Sequence, residues 1–388
     1  MYNIILLGLT SLFSDFSSEI ILPLLPIFIQ TLGGAGLAIG LVSGVGDAVA
    51  AILKVISGYY SDRVRRPKRF VLWGYGFSSF AKFFYPLAGT WIDVLWVRSI
   101  ERIGKGFRDS PRDAIVSESL GTYKRGEGFG IQRAMDSLGA IFGSLTVLFL
   151  IWKFNLTLST IFLIAAIIGV FSIVPIFFVR EPKSLRAPID KKRKFQWTGF
   201  SSELKRFIAI STIFSLGNFS FMFLILKANS FFGSLNAKNA LIMTLALYVF
   251  FNIFDAAFSK HAGKWSDKVG RRKVIVVSYI FLAVTFAGFL LANSLIFFLV
   301  LFPLYGLFKA FIDASQRSFV SDLSPVEKRA SALGAFEAFT GLALIPGGLI
   351  AGWLWNLNPQ FTFIYGLIIT VSALVLLQTM IKTDGNHQ

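Results

Sequence analysis

Two acidic residues and a file of basic ones define the chemistry open to this chain. Asp15 and Glu19 stand at i and i+4 in an otherwise apolar stretch, so a helix places both carboxylates on one face. Further on, Arg98, Arg102, Lys105, Arg108 and Arg112 follow at intervals of 4, 3, 3 and 4 residues, with Glu101, Asp109 and Asp113 between them. That spacing lines five cations along one helical face. A third set, Lys309, Asp313 and Arg317, repeats at i, i+4 and i+8. None of these sets pairs a nucleophile with a base. With no cysteine and only His261 and His387, disulfides and multi-histidine metal centres are excluded, and no cofactor is expected. Such groups can exchange protons and attract anions: burial without a partner favours the neutral carboxyl, and a nearby guanidinium favours the carboxylate.

The elements that must hold these charges are apolar helices. Of 388 residues, 55% are apolar and 15% charged, against roughly 25% charged in an ordinary soluble domain. The 43 Phe, 8 Trp and 10 Tyr suit lipid-facing surfaces and interfacial belts. Roughly 20 helical residues cross a bilayer core, and twelve such spans fit between turn-rich or charged breaks. They run over 4–30, 37–60, 70–90, 92–118, 127–152, 156–179, 206–230, 238–260, 274–292, 295–321, 329–353 and 359–381. The expected fold is an all-α membrane protein. The first thirty residues lack a basic leading segment and a small-residue cleavage site, so they read as a retained span rather than a cleaved leader. Pro23 and Pro26 are expected to bend that span, and Pro111 offers the fourth an early end that would leave Arg112 at the interface. A charge at mid-bilayer costs about 2.5 kcal/mol or more unless it faces protein or water. The five-cation face therefore lines a wet cavity or pairs with carboxylates; a structural salt-bridge ladder is the plainer alternative.

The formal net charge of +17 is explained by placement. With a cytoplasmic N-terminus, 25 of the 38 Lys and Arg fall in inner segments and two, Lys153 and Lys238, in outer loops. This is the pattern of a cell-membrane protein with both termini inside, its basic loops meeting anionic headgroups; nucleic acid is not implied. The segment 181–205 holds Lys183, Arg186, Lys191, Lys192, Arg193 and Lys194 with two prolines and reads as a solvated cytoplasmic linker. It divides the chain into a six-helix bundle at 1–180 and another at 206–388. The halves repeat: Gly58, Ser61, Asp62, Val64 and Arg66 recur 205 residues on as Gly263, Ser266, Asp267, Val269 and Arg271. The same offset carries Ser110 onto Ser315 and Arg112 onto Arg317, which indicates two pseudo-symmetric units.

The loop after the second span runs from Gly58 through Asp62, Arg63, Arg65 and Arg66 to Lys68, and its repeat from Gly263 through Asp267, Lys268, Gly270 and Arg271 to Lys273. Here the chain resembles the major facilitator superfamily, whose signature between helices two and three is a Gly, an Asp four residues on, and a basic cluster with a Gly. The second copy matches closely; the first has Arg65 where the family usually has Gly. Arg102-Ile-Gly104-Lys105-Gly106 is similar to the family's fourth-helix motif, with Lys105 where Gln is common and Arg108 where a second Gly is expected. The resemblance covers nearly the whole chain. It implies a twelve-helix fold of two bundles and a conformational latch at Gly58, Asp62, Arg63 and Arg66, repeated at Gly263, Asp267 and Arg271. It also implies a central cavity lined by spans one, four, seven and ten. The plainer reading of the loop is a topogenic basic segment with a helix-capping Asp.

On this basis Asp15, Glu19, Arg102, Lys105, Arg108, Arg112, Lys309 and Asp313 are the candidates for solute and proton binding. Asp15 and Glu19 would carry the proton, partnered by Arg102, Lys105 or Lys309. Asn218 and Lys227 lie on the seventh span, and Asp47 and Asp136 either line the path or pair locally. Lys54 and Lys82 are expected to snorkel, Asp255 and Glu337 to gate or cap, and His261 to sit at the interface. The expected function is a monomeric secondary transporter that moves a small anionic or zwitterionic solute by proton-coupled alternating access, as symporter or antiporter. A multidrug efflux antiporter is the alternative, although the fifth span lacks the Gly-Pro pattern of the superfamily's drug antiporters. A channel or lipid scramblase is the alternative from another class. No phosphate-binding Gly-Lys loop is present, and a membrane-embedded enzyme fits least.

Overall fold

The computed structural model describes residues 1–64, 66–119, 125–181, 199–325 and 328–382, and for Asp62 and residues 125–127 the backbone alone. Arg65, most of the basic linker and His387 lie outside this description, as do the side chains of Asp62 and residues 125–127. The rest is helical. The first span is α1 (Tyr2–Ile21) and α2 (Leu25–Thr31); α3 (Gly36–Val64) is the second, α4 (Pro67–Ala81) with a 3-10 turn (Lys82–Leu87) the third, and α5 (Trp91–Ser119) the fourth. Then come α6 (Arg125–Phe149), α7 (Leu158–Phe171) with α8 (Val174–Phe178), and α9 (Ser202–Gly217) with α10 (Met222–Phe231). The last five spans are α11 (Ala237–Val269), α12 (Arg271–Leu291), α13 (Leu295–Asp322), α14 (Arg329–Leu357) and α15 (Pro359–Met380).

Local chemistry sets these limits. The first span breaks at Leu22–Leu24 beside Pro23, where a ring in place of an N–H cannot continue the ladder, and restarts with Pro26 in its first turn. Ser201 and Asn236 cap α9 and α11 by accepting from the N–H groups of Leu204 and Asn239. Gly270, at φ +99°, makes the turn between α11 and α12 that an L side chain would strain. Pro111 does not end the fourth span: α5 runs through it, with Pro111 buried, and carries Arg112 on the same helix.

Ten of these passes are long and apolar enough to cross a membrane unaided, and the chain is an integral membrane protein. The third and fourth fall short for different reasons. The third dilutes its apolar residues with Lys68, Arg69, Lys82, two glycines and two serines, and the fourth holds eight charges between Arg98 and Asp113. Large apolar side chains crowd the outer surface, among them Trp73, Phe80, Trp96, Trp152 and Phe177, as a hydrocarbon solvent permits.

The two six-helix bundles differ inside. Every fully buried charge among the described residues, Lys82, Arg98, Glu101 and Arg108, lies in the first. The second is packed with stacked rings such as Phe214 on Tyr279, 3.9 Å apart and parallel, and Phe289 on Phe363 at 5.1 Å. Between bundles, α3 packs on α14 and α6 on α11. At one end the first seam is backbone on backbone: a Cβ on Gly36, Gly40 or Gly44 would strike the carbonyls of Gly352, Gly348 or Leu344. Only glycine permits that approach.

Candidate functional site

Asp15 and Glu19 do share one face of α1, and small residues of α6 let that face come close. A Cβ on Gly143 would lie 2.6 Å from Glu19 Cβ, and one on Gly139 3.2 Å from Asp15 Cβ. Glu19 reaches across the bundle boundary. One of its carboxylate oxygens accepts from the Tyr248 hydroxyl at 2.6 Å and from Asn252 Nδ2 at 3.3 Å, both on α11. Asp15, half-buried, makes no direct hydrogen bond or ion pair among the described residues. Asp136 of α6 and Lys105, Arg108 and Arg112 of α5 are the charges that act on it most.

The cations of α5 divide among several partners. Arg98 Nη1 donates to Glu101 at 2.8 Å, Tyr85 donates to the same oxygen at 2.9 Å, and this trio is sealed inside the first bundle. Arg102 pairs with Asp47 of α3. Lys105, half-buried, touches no carboxylate among the described residues, and Asp109 and Asp15 are the acids that act on it most. Arg108 donates to Ser14 Oγ at 2.9 Å while its guanidinium lies 3.9 Å over the Tyr75 ring. Arg112 donates to Ser11 Oγ at 2.9 Å and to Asp113 at 3.0 Å.

The structure therefore does not pair Asp15 or Glu19 with Arg102, Lys105 or Lys309. The reason is the rotation of α1. Its serine file, Ser11, Ser14 and Ser17 at i, i+3 and i+6, faces the third, fourth and sixth spans and takes the donors of Arg112, Arg108 and Lys82. The carboxylates are left facing α6 and α11. Arg102 meets Asp47 one helix nearer, and Lys309 Nζ lies 2.6 Å from Asp313 on its own helix.

The Arg102–Asp47 pair bears on stability. Asp47→Asn leaves a largely buried guanidinium without its counter-charge, and the 35% exposure of Asp47 holds the cost to about 1–2 kcal/mol. Detergent-solubilised Asp47→Asn is expected to melt several degrees lower, and the double variant with Arg102→Met to recover most of the loss. A double variant whose loss equals the sum of the losses of Asp47→Asn and Arg102→Met alone would show the two residues to be energetically independent.

Toward the end that carries Arg63 and Arg66, ion pairs join the bundles. Arg133 of α6 lies 3.6 Å from Asp255 on α11 and 3.7 Å from Asp313 on α13. Lys54 of α3 lies 3.5 Å from Glu337 on α14, which Arg317 also approaches at 2.7 Å. Asp255 and Glu337 thus serve in contacts between halves, and Lys54 does not snorkel. Lys309 and Asp313 belong to this half-exposed network rather than to the α1–α5 face. Asp136 accepts from Gln132 at 3.1 Å. Asn218 stands where the seventh span breaks between α9 and α10, and His261 is exposed, its ring against the Ala257 carbonyl.

The two loop copies behave differently. Gly58 lets α3 close on α5, where its Cβ would meet Ser110 Oγ at 2.5 Å, whereas Gly263 has open space around it. Arg63 and Arg66 are exposed, Arg63 lying 5.2 Å over the Tyr59 ring. In the second copy Arg271 pairs with Asp267 at 2.6 Å and Asp322 at 3.3 Å. These bonds tie α11, α12 and α13 within one bundle rather than latching the halves together.

Sequence reasoning missed Tyr248 and Asn252 as partners of Glu19. Asn252, a polar residue in an apolar run, gave a signal; Tyr248, one aromatic among many, gave none. No group of three His, Cys, Asp or Glu among the described residues is arranged to hold a metal.

Comparison with known proteins agrees with this architecture. The family model of the Major Facilitator Superfamily matches residues 7–238 and 208–386. The chain is 44% identical over 378 residues to an uncharacterized MFS-type transporter of Methanocaldococcus jannaschii, covering 97% of this chain and 94% of that protein. Multidrug resistance protein 2 of Bacillus subtilis is 28% identical over 142 residues, 36% of each protein. Among solved structures, the nucleoside transporter NupG superposes with a TM-score of 0.76 at 18% identity, over 99% of this chain and all of that one.

Proposed function

Since the chain belongs to the major facilitator superfamily, and is therefore a membrane transporter rather than an enzyme, we propose that it is a proton-coupled secondary transporter of a small anionic or zwitterionic solute. The observation that carries the reading is the hydrogen-bonded contact of Glu19 with Tyr248 and Asn252 across the bundle boundary, one turn from Asp15, which has no direct partner among the described residues. A carboxylate that makes such a contact in one arrangement of the halves and meets water in the other takes up and releases a proton as they rock. Lys105 and Arg102 supply positive charge to the same space, which favours an anionic group on the solute. The Lys and Arg of the inner loops support a cytoplasmic placement of both termini in the cell membrane, and twelve helices suffice for a monomer to act alone.

The test uses purified protein in liposomes with an entrapped pH-sensitive dye. Organic anions and zwitterions are first chosen by thermal shift, because a ligand of the native state raises its melting temperature. Each such solute is expected to evoke proton movement in the wild type and none in Asp15→Asn. Solute flux without proton movement in the wild type removes the coupling, and undiminished coupled flux in Asp15→Asn removes Asp15 from it.

A multidrug exporter is the second reading. It is supported by the aromatic group of Phe221, Tyr248, Phe251 and Tyr305 beside Glu19 and by the partial likeness to a multidrug resistance protein. Efflux of cationic dyes in preference to organic anions would favour it.

A further inference from the structure

Lys82 is a buried ammonium that the coupling scheme leaves unused. It stands where α4 gives way to the 3-10 turn, is 1% exposed, and does not reach the membrane surface as a snorkelling lysine would. No carboxylate among the described residues lies within bonding distance of it. Its three donors go to α1: Ser17 Oγ at 2.8 Å, Ser18 Oγ at 2.9 Å and the Ser14 carbonyl at 3.4 Å. These oxygens surround the turn that carries Asp15 and leads to Glu19. Ser14 also takes the Arg108 guanidinium through its hydroxyl; Arg108 Nε lies 3.8 Å from Asp109, and Nη1 has no hydrogen-bond partner among the described residues. The charged groups facing Lys82 are Glu101, Arg98 and Arg108 of α5 and Asp15 of α1, with Tyr85 on its own turn bonded to Glu101. The sixth-span helix α7, packed on the same turn, has no ionisable residue.

We propose that Lys82 is a positioning residue for the coupling site: it pins the rotation of α1 so that Asp15 and Glu19 face α6 and α11, and its sealed charge helps set the pH at which Asp15 exchanges its proton. Turning α1 by one residue would strip the ammonium of all three acceptors at a depth where nothing else solvates it. A helix so pegged has one stable rotation. Removing the positive neighbour favours the protonated acid, so coupled transport should then persist to higher pH.

The second half of this inference rests on the proton-coupled reading; the first does not, and the experiment separates them. In liposomes, Lys82→Met is expected to move the midpoint of the pH profile of transport to the alkaline side, while Lys82→Arg, which keeps charge and donors, stays near the wild type. The chain contains no cysteine, so Asp15→Cys and Ile20→Cys report the rotation of α1 through a water-soluble maleimide. Asp15 is half-buried and Ile20 fully buried; with Lys82 in place only Asp15→Cys should label, and with Lys82→Met the Ile20→Cys site should label too. Should Lys82→Met not fold, Lys82→Gln carries the same comparison. An unmoved pH profile together with unchanged labelling overturns the proposal. A wild type whose transport ignores pH defeats the proton reading alone, and labelling still decides the peg.

Discussion

Glu19→Gln is expected to abolish pH-gradient-driven accumulation while leaving the protein folded and its bundles in contact. The amide oxygen still accepts from the Tyr248 hydroxyl, so the bond that now spans 2.6 Å is retained in kind. Two things are lost. A glutamine has no proton to exchange, and a neutral acceptor holds a hydroxyl less firmly than a carboxylate, since charge-assisted bonds are roughly twice as strong. The difference of about 1 kcal/mol shifts the balance between joined and parted bundles roughly fivefold toward the parted state. Accumulation under a pH gradient should fall to the level of empty liposomes, and spin labels on α1 and α11 should record more of the longer distance. Tyr248→Phe should reproduce the distance change without abolishing coupling, because Glu19 keeps its proton and Asn252. If Glu19→Gln accumulates solute as the wild type does at every pH, Glu19 is a structural contact only.

Gly348→Leu is expected to be the most damaging single change at the bundle boundary. A Cβ at this position already strikes the Gly40 carbonyl, and Gly44 Cα is 3.5 Å away. Both obstacles are backbone and cannot turn aside, so an isobutyl group must push α3 and α14 apart. Ordinary overpacking costs about 1–3 kcal/mol; a wedge against a carbonyl lies at or above the top of that range. The chain either loses its single sharp elution peak in detergent or survives with the seam open. The distance between spin labels at Leu37→Cys on α3 and Trp353→Cys on α14, both exposed positions at the same end of the seam, distinguishes these, and it should lengthen with Gly348→Leu. Gly76→Leu, where nothing lies within 4 Å, is the control expected to behave as wild type. An unchanged distance in Gly348→Leu would show that the seam has slack.

The spans were legible because a helix in hydrocarbon must satisfy its backbone internally, so length and polarity alone mark it. Hence the expected fourth span, 92–118, and α5, Trp91–Ser119, nearly coincide. Charge spacing was legible too: i and i+4 placed Asp15 and Glu19 on one face before any neighbour was known. Partners were not. Spacing along one helix says nothing about how that helix is rotated against the next, and here the rotation was decided by serines that carry no charge. So the cations that reach α1 are Arg108 and Arg112 rather than the expected Arg102, Lys105 or Lys309, and they bond to Ser14 and Ser11 instead of the acids beside them. Lys82 was misread for a related reason. Snorkelling needs a path to the surface, and the turn at the end of α4 aims this side chain inward instead. Pro111 was read locally, where it breaks a ladder, whereas the packed helix carries on around it.

The two ends of the bundle boundary are made of different materials. One is dry carbonyl against glycine carbon; the other is Arg133 and Lys54 facing carboxylates that water can reach. Dissolved salt screens the second kind of contact and leaves the first untouched, because ions cannot enter where no charge waits for them. On the proposed alternating-access reading, ionic strength therefore acts on the ion-paired end and spares the glycine seam of α3 and α14, which ties the balance of open and shut to the salinity of one compartment.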